Sequence, residues 1–142
     1  MENKNQAKAL SEQQIIECTY SGAYDNFGCL GGRYQQTWRY AKGNAILDKK
    51  YYPYTEKQGL CKDTRNIQKS KENSFRLENF KKIESNNSVA LRTALQDGPV
   101  AATIRAGSRV FRDYANGILE SKSCTSAFPD HEYDHGVLVI GY

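Results

Sequence analysis

Residues 10–32, LSEQQIIECTYSGAYDNFGCLGG, pass from a helical pattern into a glycine-rich loop. Ser11 is placed to accept a hydrogen bond from the backbone of Gln14, and the Gln14 side chain is placed to return one, the reciprocal arrangement that starts many helices. Leu10, Ile15 and Cys18 then share one face, which is expected to be the buried one. The loop closes on Gly31-Gly32, where backbone conformations denied to other residues become available. Working outward, RYQQTWRYAKG (33–43) predicts a second helix closed by Gly43, with Tyr34 and Trp38 four apart as a packing pair. YYPYTEKQGLC (51–61) reads as extended, because Pro53 steers Tyr52 away from the helical region.

Downstream the pattern changes. FRLENFKKI (75–83) has strand-like apolar spacing, and NNSVALRTALQDG (86–98) predicts a helix with an Asn cap and Gly98 as its stop. PVAATIRA (99–106), GILES (117–121) and HGVLVIGY (135–142) read as strands, and SRVFRDY (108–114) as a short helical turn. Helices dominate the first half and strands the second, which makes the chain α+β. The change falls in a basic connector near Arg76, giving a helical part over 1–76 and a β-rich part over 77–142.

Composition narrows the function. The 142 residues suffice for one ordinary domain or two small halves sharing a core. Between Cys61 and Lys82 seven Lys/Arg face three Asp/Glu, which accounts for the whole net charge of +4. That run reads as a solvated connector, and no aromatic residues interleave with it as in a nucleic-acid module, so no nucleic-acid partner is expected. No window reaches the roughly 18 apolar residues of a membrane span, and MENKNQAKAL has no signal-peptide core. A soluble protein is expected, with any export signal upstream. Four cysteines lack the C-x-x-C spacing of a zinc or redox motif, so disulfides are the better use. The sequon Asn86-Asn87-Ser88 agrees with an exported or lysosomal protein.

Only two histidines exist, His131 and His135, so any imidazole chemistry rests on one of them. A zinc site built from Cys124, His131 and His135 lacks its fourth ligand, and no metal is expected. Nothing near either histidine in sequence has the form of an activated nucleophile. The residues by themselves leave a lone histidine before a strand.

Six stretches, in order, change that reading. LSEQQIIEC resembles an L-S-E-Q-x-L-x-D-C helix and GCLGG a G-C-N-G-G loop. YYPYTEKQGLC resembles a Y-P-Y…C segment and GPVAATIRA a G-P-V strand. YANGILESKSC is similar to Y-x-x-G-I-Y…C, and DHGVLVIGY to N/D-H-x-V-x-x-V-G-Y. Together they resemble the papain-like cysteine peptidases, the plant papains and lysosomal cathepsins, from Leu10 to Tyr142.

The resemblance implies a papain-like fold, a helical left half and an antiparallel β-rich right half, here incomplete. It implies that His135 is the catalytic imidazole, holding a cysteine as thiolate and protonating the leaving amine. Asp134 falls where backbone groups help hold substrate. Gly31 and Gly32 correspond to the glycine pair beside an extended peptide, with Gly32 exchanging backbone hydrogen bonds with it. Tyr34, Thr103 and Tyr133 fall where the family builds its main specificity pocket, although Leu30 replaces the usual Asn. The resemblance also implies a disulfide between Cys18 and Cys61, with Cys29 and Cys124 left as thiols. It implies a monomer without a cofactor, peptide or protein substrates, cystatin-like inhibitors, and a lysosomal or secreted location.

One departure matters most. In that family the histidine follows the nucleophile by about 130 to 150 residues, within C-G-[SA]-C-[WY]. Counting back from His135 reaches residue 5 or earlier, and MENKN contains no cysteine. The N-S-W-G motif that orients the histidine is absent as well. The expectation is therefore the middle of an endopeptidase, with the base but not the nucleophile, inactive alone. The alternative is a non-catalytic peptide-binding module of the same fold.

Overall fold

The computed structural model describes residues 9–20, 22–64, 73–107, 109–120 and 133–142. Helix α1, Glu12–Cys18, starts as its sequence requires: the Ser11 hydroxyl accepts the Gln14 N–H at 2.9 Å. The reciprocal bond does not form. Gln14 turns inward instead, donating to the Tyr40 hydroxyl at 2.9 Å and the Ala45 carbonyl at 3.0 Å, and accepting the Leu47 N–H at 2.8 Å. Gln13 is equally engaged, donating to Glu17 and to the Lys57 carbonyl and accepting the Thr55 N–H.

The buried face of α1 is thus polar. Gln13 and Gln14 are fully buried, whereas Leu10, Ile15 and Cys18 are only half-buried at the edge of an apolar cluster of Tyr40, Ala41 and Ile46. Apolar periodicity found the side that packs on this cluster but missed the fully buried one, because it treats glutamine as a surface residue. Here each amide satisfies backbone groups of the segment that wraps the helix, and leaving such groups unpaired costs about 1–3 kcal/mol apiece.

A single 3₁₀ turn, Gly28–Leu30, sits in the glycine-rich loop, and α2 spans Tyr34–Gly43. Strand β1, Ile46–Leu47, pairs antiparallel with β2, Ser74–Phe75. The strand expected over 75–83 stops there. Past Phe75 the backbone meets the end of α2: Arg76 donates to the carbonyls of Lys42 and Gly43, and the Leu77 N–H bonds to the Ala41 carbonyl. Free carbonyls at a helix C-terminus attract such donors. The Phe80 ring packs against Trp38 at a tilt of 46°, with ring centroids 5.2 Å apart. Cys18 and Cys61 are joined, their Cα atoms 4.6 Å apart.

The chain divides into two compact units, Met1–Lys81 and Lys82–Tyr142. In the second, α3 spans Ser88–Asp97 with Asn87 as its cap, and Gly98 ends it at φ +147°. Strand β3, Val100–Ile104, pairs antiparallel with β4, His135–Val139, in a register running from Val100↔Val139 to Ile104↔His135. The short helix α4, Arg109–Arg112, lies in the connection between them. Residues 117–120 form no strand: the Tyr114 hydroxyl donates to the Gly117 carbonyl and closes a turn there. Leu138 and Ile140 are 61% and 81% exposed. Among the described residues no helix is long and apolar enough to cross a membrane.

Candidate functional site

In the first unit the glycine loop is built around Asn26. Its amide nitrogen donates to the hydroxyls of Thr19, at 2.9 Å, and Thr37, at 3.3 Å, while its oxygen accepts the Arg33 N–H at 2.8 Å. Its backbone N–H reaches the Thr19 carbonyl. One buried side chain thereby ties the end of α1, the loop and the start of α2. A Cβ on Gly32 would lie 2.6 Å from that Asn26 oxygen, so the close approach requires glycine. Gly31 takes φ +111° and ψ −163°, a region essentially reserved to glycine, and its carbonyl accepts the Phe27 N–H.

Gly31 and Gly32 are both exposed, and with Tyr34 they border an open depression of about 210 Å³ floored by Ile15, Asn26 and Thr37. The Tyr34 ring stacks on Trp38 at 5.7 Å, nearly parallel, so it is also part of the packing of α2. Cys29 is an exposed free thiol on the 3₁₀ turn, its N–H directed to the Gln58 side chain.

In the second unit His135 opens β4 opposite Ile104, and Asp134 precedes it as a clip. The Asp134 carboxylate accepts the N–H of Ala106 at 2.6 Å and of Gly107 at 2.9 Å, and its own N–H bonds to the Ile104 carbonyl. The Ala106 N–H above all, then the N–H groups of Gly107 and Asp134 and the charge of His135, hold this carboxyl below its ordinary range and outweigh its desolvation. His135 is exposed, with the Phe111 ring 6.3 Å away. Thr103 faces Gly136 across the ladder, and strand alternation puts it on the opposite face from His135. Tyr133 is 61% exposed, next to the clip.

Local geometry thus brings Tyr133, Asp134 and His135 together at one end of the β3–β4 ladder, with Thr103 at the same end but on the other face. It gathers Gly31, Gly32 and Tyr34 around one loop in the other unit. An exposed imidazole whose backbone is fixed on its N-terminal side can take a proton from a group set before it and return it to another. His131 and Cys124 lie outside the described residues. Asn26 and the Ala106-Gly107 amides escaped sequence reasoning. An isolated Asn in a loop carries no periodic signal, and backbone donors carry none at all.

Comparison with known proteins identifies the family. The profile described as papain family cysteine protease matches residues 1–142. The chain is 32% identical over 135 residues to "Cysteine protease 1" of Oryza sativa subsp. japonica, covering 94% of this chain and 25% of that protein. It is 34% identical over 135 residues to "Cysteine proteinase 2" of Dictyostelium discoideum, covering 94% of this chain and 33% of the relative. It therefore spans about a quarter to a third of these relatives' length. A Carica candamarcensis cysteine protease, solved in complex with E-64, superposes with a TM-score of 0.79 at 26% identity, over 98% of this chain and 59% of that one. The fold is papain-like α+β, and the chain belongs to the papain family of cysteine proteases.

Proposed function

We propose that the chain is the central part of a cysteine endopeptidase, with His135 as the imidazole that pairs with a nucleophilic thiolate and then protonates the leaving amine. The observation that carries this is the Asp134 clip, which fixes the residue before His135 to Ala106 and Gly107 while the ring stays exposed. Peptide would lie along Gly31 and Gly32, next to which Asn26 anchors the Arg33 N–H, with Tyr34 in the first unit and Thr103 and Tyr133 in the second contributing to side-chain selection. The boundary near Arg76 would separate the helical and β-rich parts.

The thiol belongs outside residues 1–142. Cys18 and Cys61 are consumed in a disulfide, and Cys29 and Cys124 fall where the family has disulfide partners rather than its nucleophile. The disulfide supports passage through an oxidising secretory route to a lysosomal or extracellular destination. A monomer open to cystatin-like inhibitors completes the reading.

The test compares two proteins. Residues 1–142 should neither cleave fluorogenic peptides nor be labelled by an epoxide probe of the E-64 type, and a labelled Cys29 would overturn the assignment of the thiol. In the complete protein His135→Ala should abolish turnover and leave the fold intact, whereas His131→Ala should keep most of it. The opposite result would refute the choice of histidine, and a complete protein that binds peptides without cleaving them would establish the non-catalytic alternative.

A further inference from the structure

The sequon Asn86-Asn87-Ser88 takes no part in the site above, and the structure treats its two asparagines differently. Asn87 is committed: its oxygen caps α3 by accepting the Ala90 N–H at 2.9 Å, and its nitrogen donates to Glu84 at 2.7 Å. Asn86 lies one residue earlier in an exposed turn at φ +59°, a conformation asparagine adopts more readily than most residues. No hydrogen bond among the described residues engages its side-chain amide. Ser88, the hydroxyl residue two positions on, is exposed at the first position of the helix. Asn87 is not itself an acceptor, since Val89 stands two residues after it.

We infer that Asn86 is an N-glycosylation site, its side-chain nitrogen linked to an oligosaccharide. The donor class is a polyprenyl-diphosphate-linked oligosaccharide. The Asn86 nitrogen attacks the anomeric carbon, the bond from that carbon to the diphosphate oxygen breaks, the nitrogen gives up one proton to the transferase's base, and polyprenyl diphosphate leaves. Transfer takes place on the extended chain, so the folded protein has only to carry the product. Here it does so at no structural cost: the amide that would be modified holds nothing together, while its neighbour keeps the helix cap. A bulky hydrophilic group in this turn would also stand beside Val89, which is 71% exposed. The inference rests on the secretory route proposed above.

The experiment uses the protein isolated from its own cells and digested with trypsin without reduction. Cleavage after Lys82 and Arg92 releases peptide 83–92, which contains both asparagines. The peptide should be missing at its bare mass, and should appear after peptide-N-glycanase treatment in ¹⁸O-water with aspartate carrying the heavy oxygen at position 86. Ser88→Ala should release the bare peptide without enzyme, and Ser88→Thr should restore the modification. Bare peptide 83–92 alongside an intact Cys18–Cys61 link overturns the site and spares the secretory route, whereas bare peptide with both cysteines reduced overturns both. Heavy oxygen at Asn87 overturns the assignment to Asn86.

Discussion

The Tyr52 hydroxyl donates a hydrogen bond to the Glu17 carboxylate, joining residues 35 apart in sequence where both side chains are buried. Burial pushes the Glu17 carboxyl up, but the bonds from Tyr52 and Gln13, the charge of Lys62 and the Gly59 backbone outweigh it, and the net shift is downward. Burial and the bond to Glu17 push the Tyr52 phenol up to about 12. Tyr52→Phe removes one donor and should destabilise the first unit by about 1–3 kcal/mol. A carboxyl with a lowered folded pKa adds stability above its unfolded value and loses it as pH falls through the folded one. The variant raises the folded value, so its deficit should be largest at neutral pH and shrink on acidification, as urea unfolding across a pH series would read.

Reducing the Cys18–Cys61 bond reopens a loop of 43 residues, worth up to about 4 kcal/mol in the chain-entropy model. Denaturant midpoints with and without reductant should differ accordingly. A non-reduced digest joining Cys29 to Cys61 would contradict the pairing.

Gly31→Ala forces a side chain into a glycine-only region and should cost roughly 1–3 kcal/mol. Gly32→Ala must displace the Asn26 amide from the Arg33 N–H and should weaken inhibitor binding in the complete enzyme as well as stability. Gly141→Ala, with open space around it, serves as the near-neutral control. Thermal melts of the three variants, with inhibitor titration, make the comparison.

The Asp134 clip should open in acid. Its folded pKa is lowered, so the clip is complete above the ordinary carboxylate range and is lost as pH falls through the folded value. The Ala106 and Gly107 amide resonances should shift together over that interval, below the range of an ordinary aspartate. Asp134→Asn keeps one acceptor of two and should release one amide, and in the complete enzyme it should lower kcat with KM less affected.

The α+β class, both long helices and the His135 strand were legible because each carries a cap, a glycine stop or an apolar run that local physics reads directly. The polar face of α1 was not, since Gln13 and Gln14 find their backbone partners 31 to 44 residues away. Residues 76–83 misled for the same reason: their spacing suits a strand, but the end of α2 supplies the hydrogen bonds. Within the site, Gly31 announced itself through its type. Asn26 did not, because its role lies in four contacts that only the folded loop assembles.

The β3–β4 ladder has a further consequence, for handling rather than catalysis. Among the described residues the ladder has only these two strands, each leaving one row of backbone groups without a strand partner, and Leu138 and Ile140 add an apolar surface beside one of them. A chain bearing such an edge is a template for its own copies, opposed mainly by its net charge of +4. Added salt shortens that repulsion to about 10 Å at 0.1 M, so solutions of residues 1–142 should turn turbid as salt rises, and a lysine at Leu138 should keep them clear.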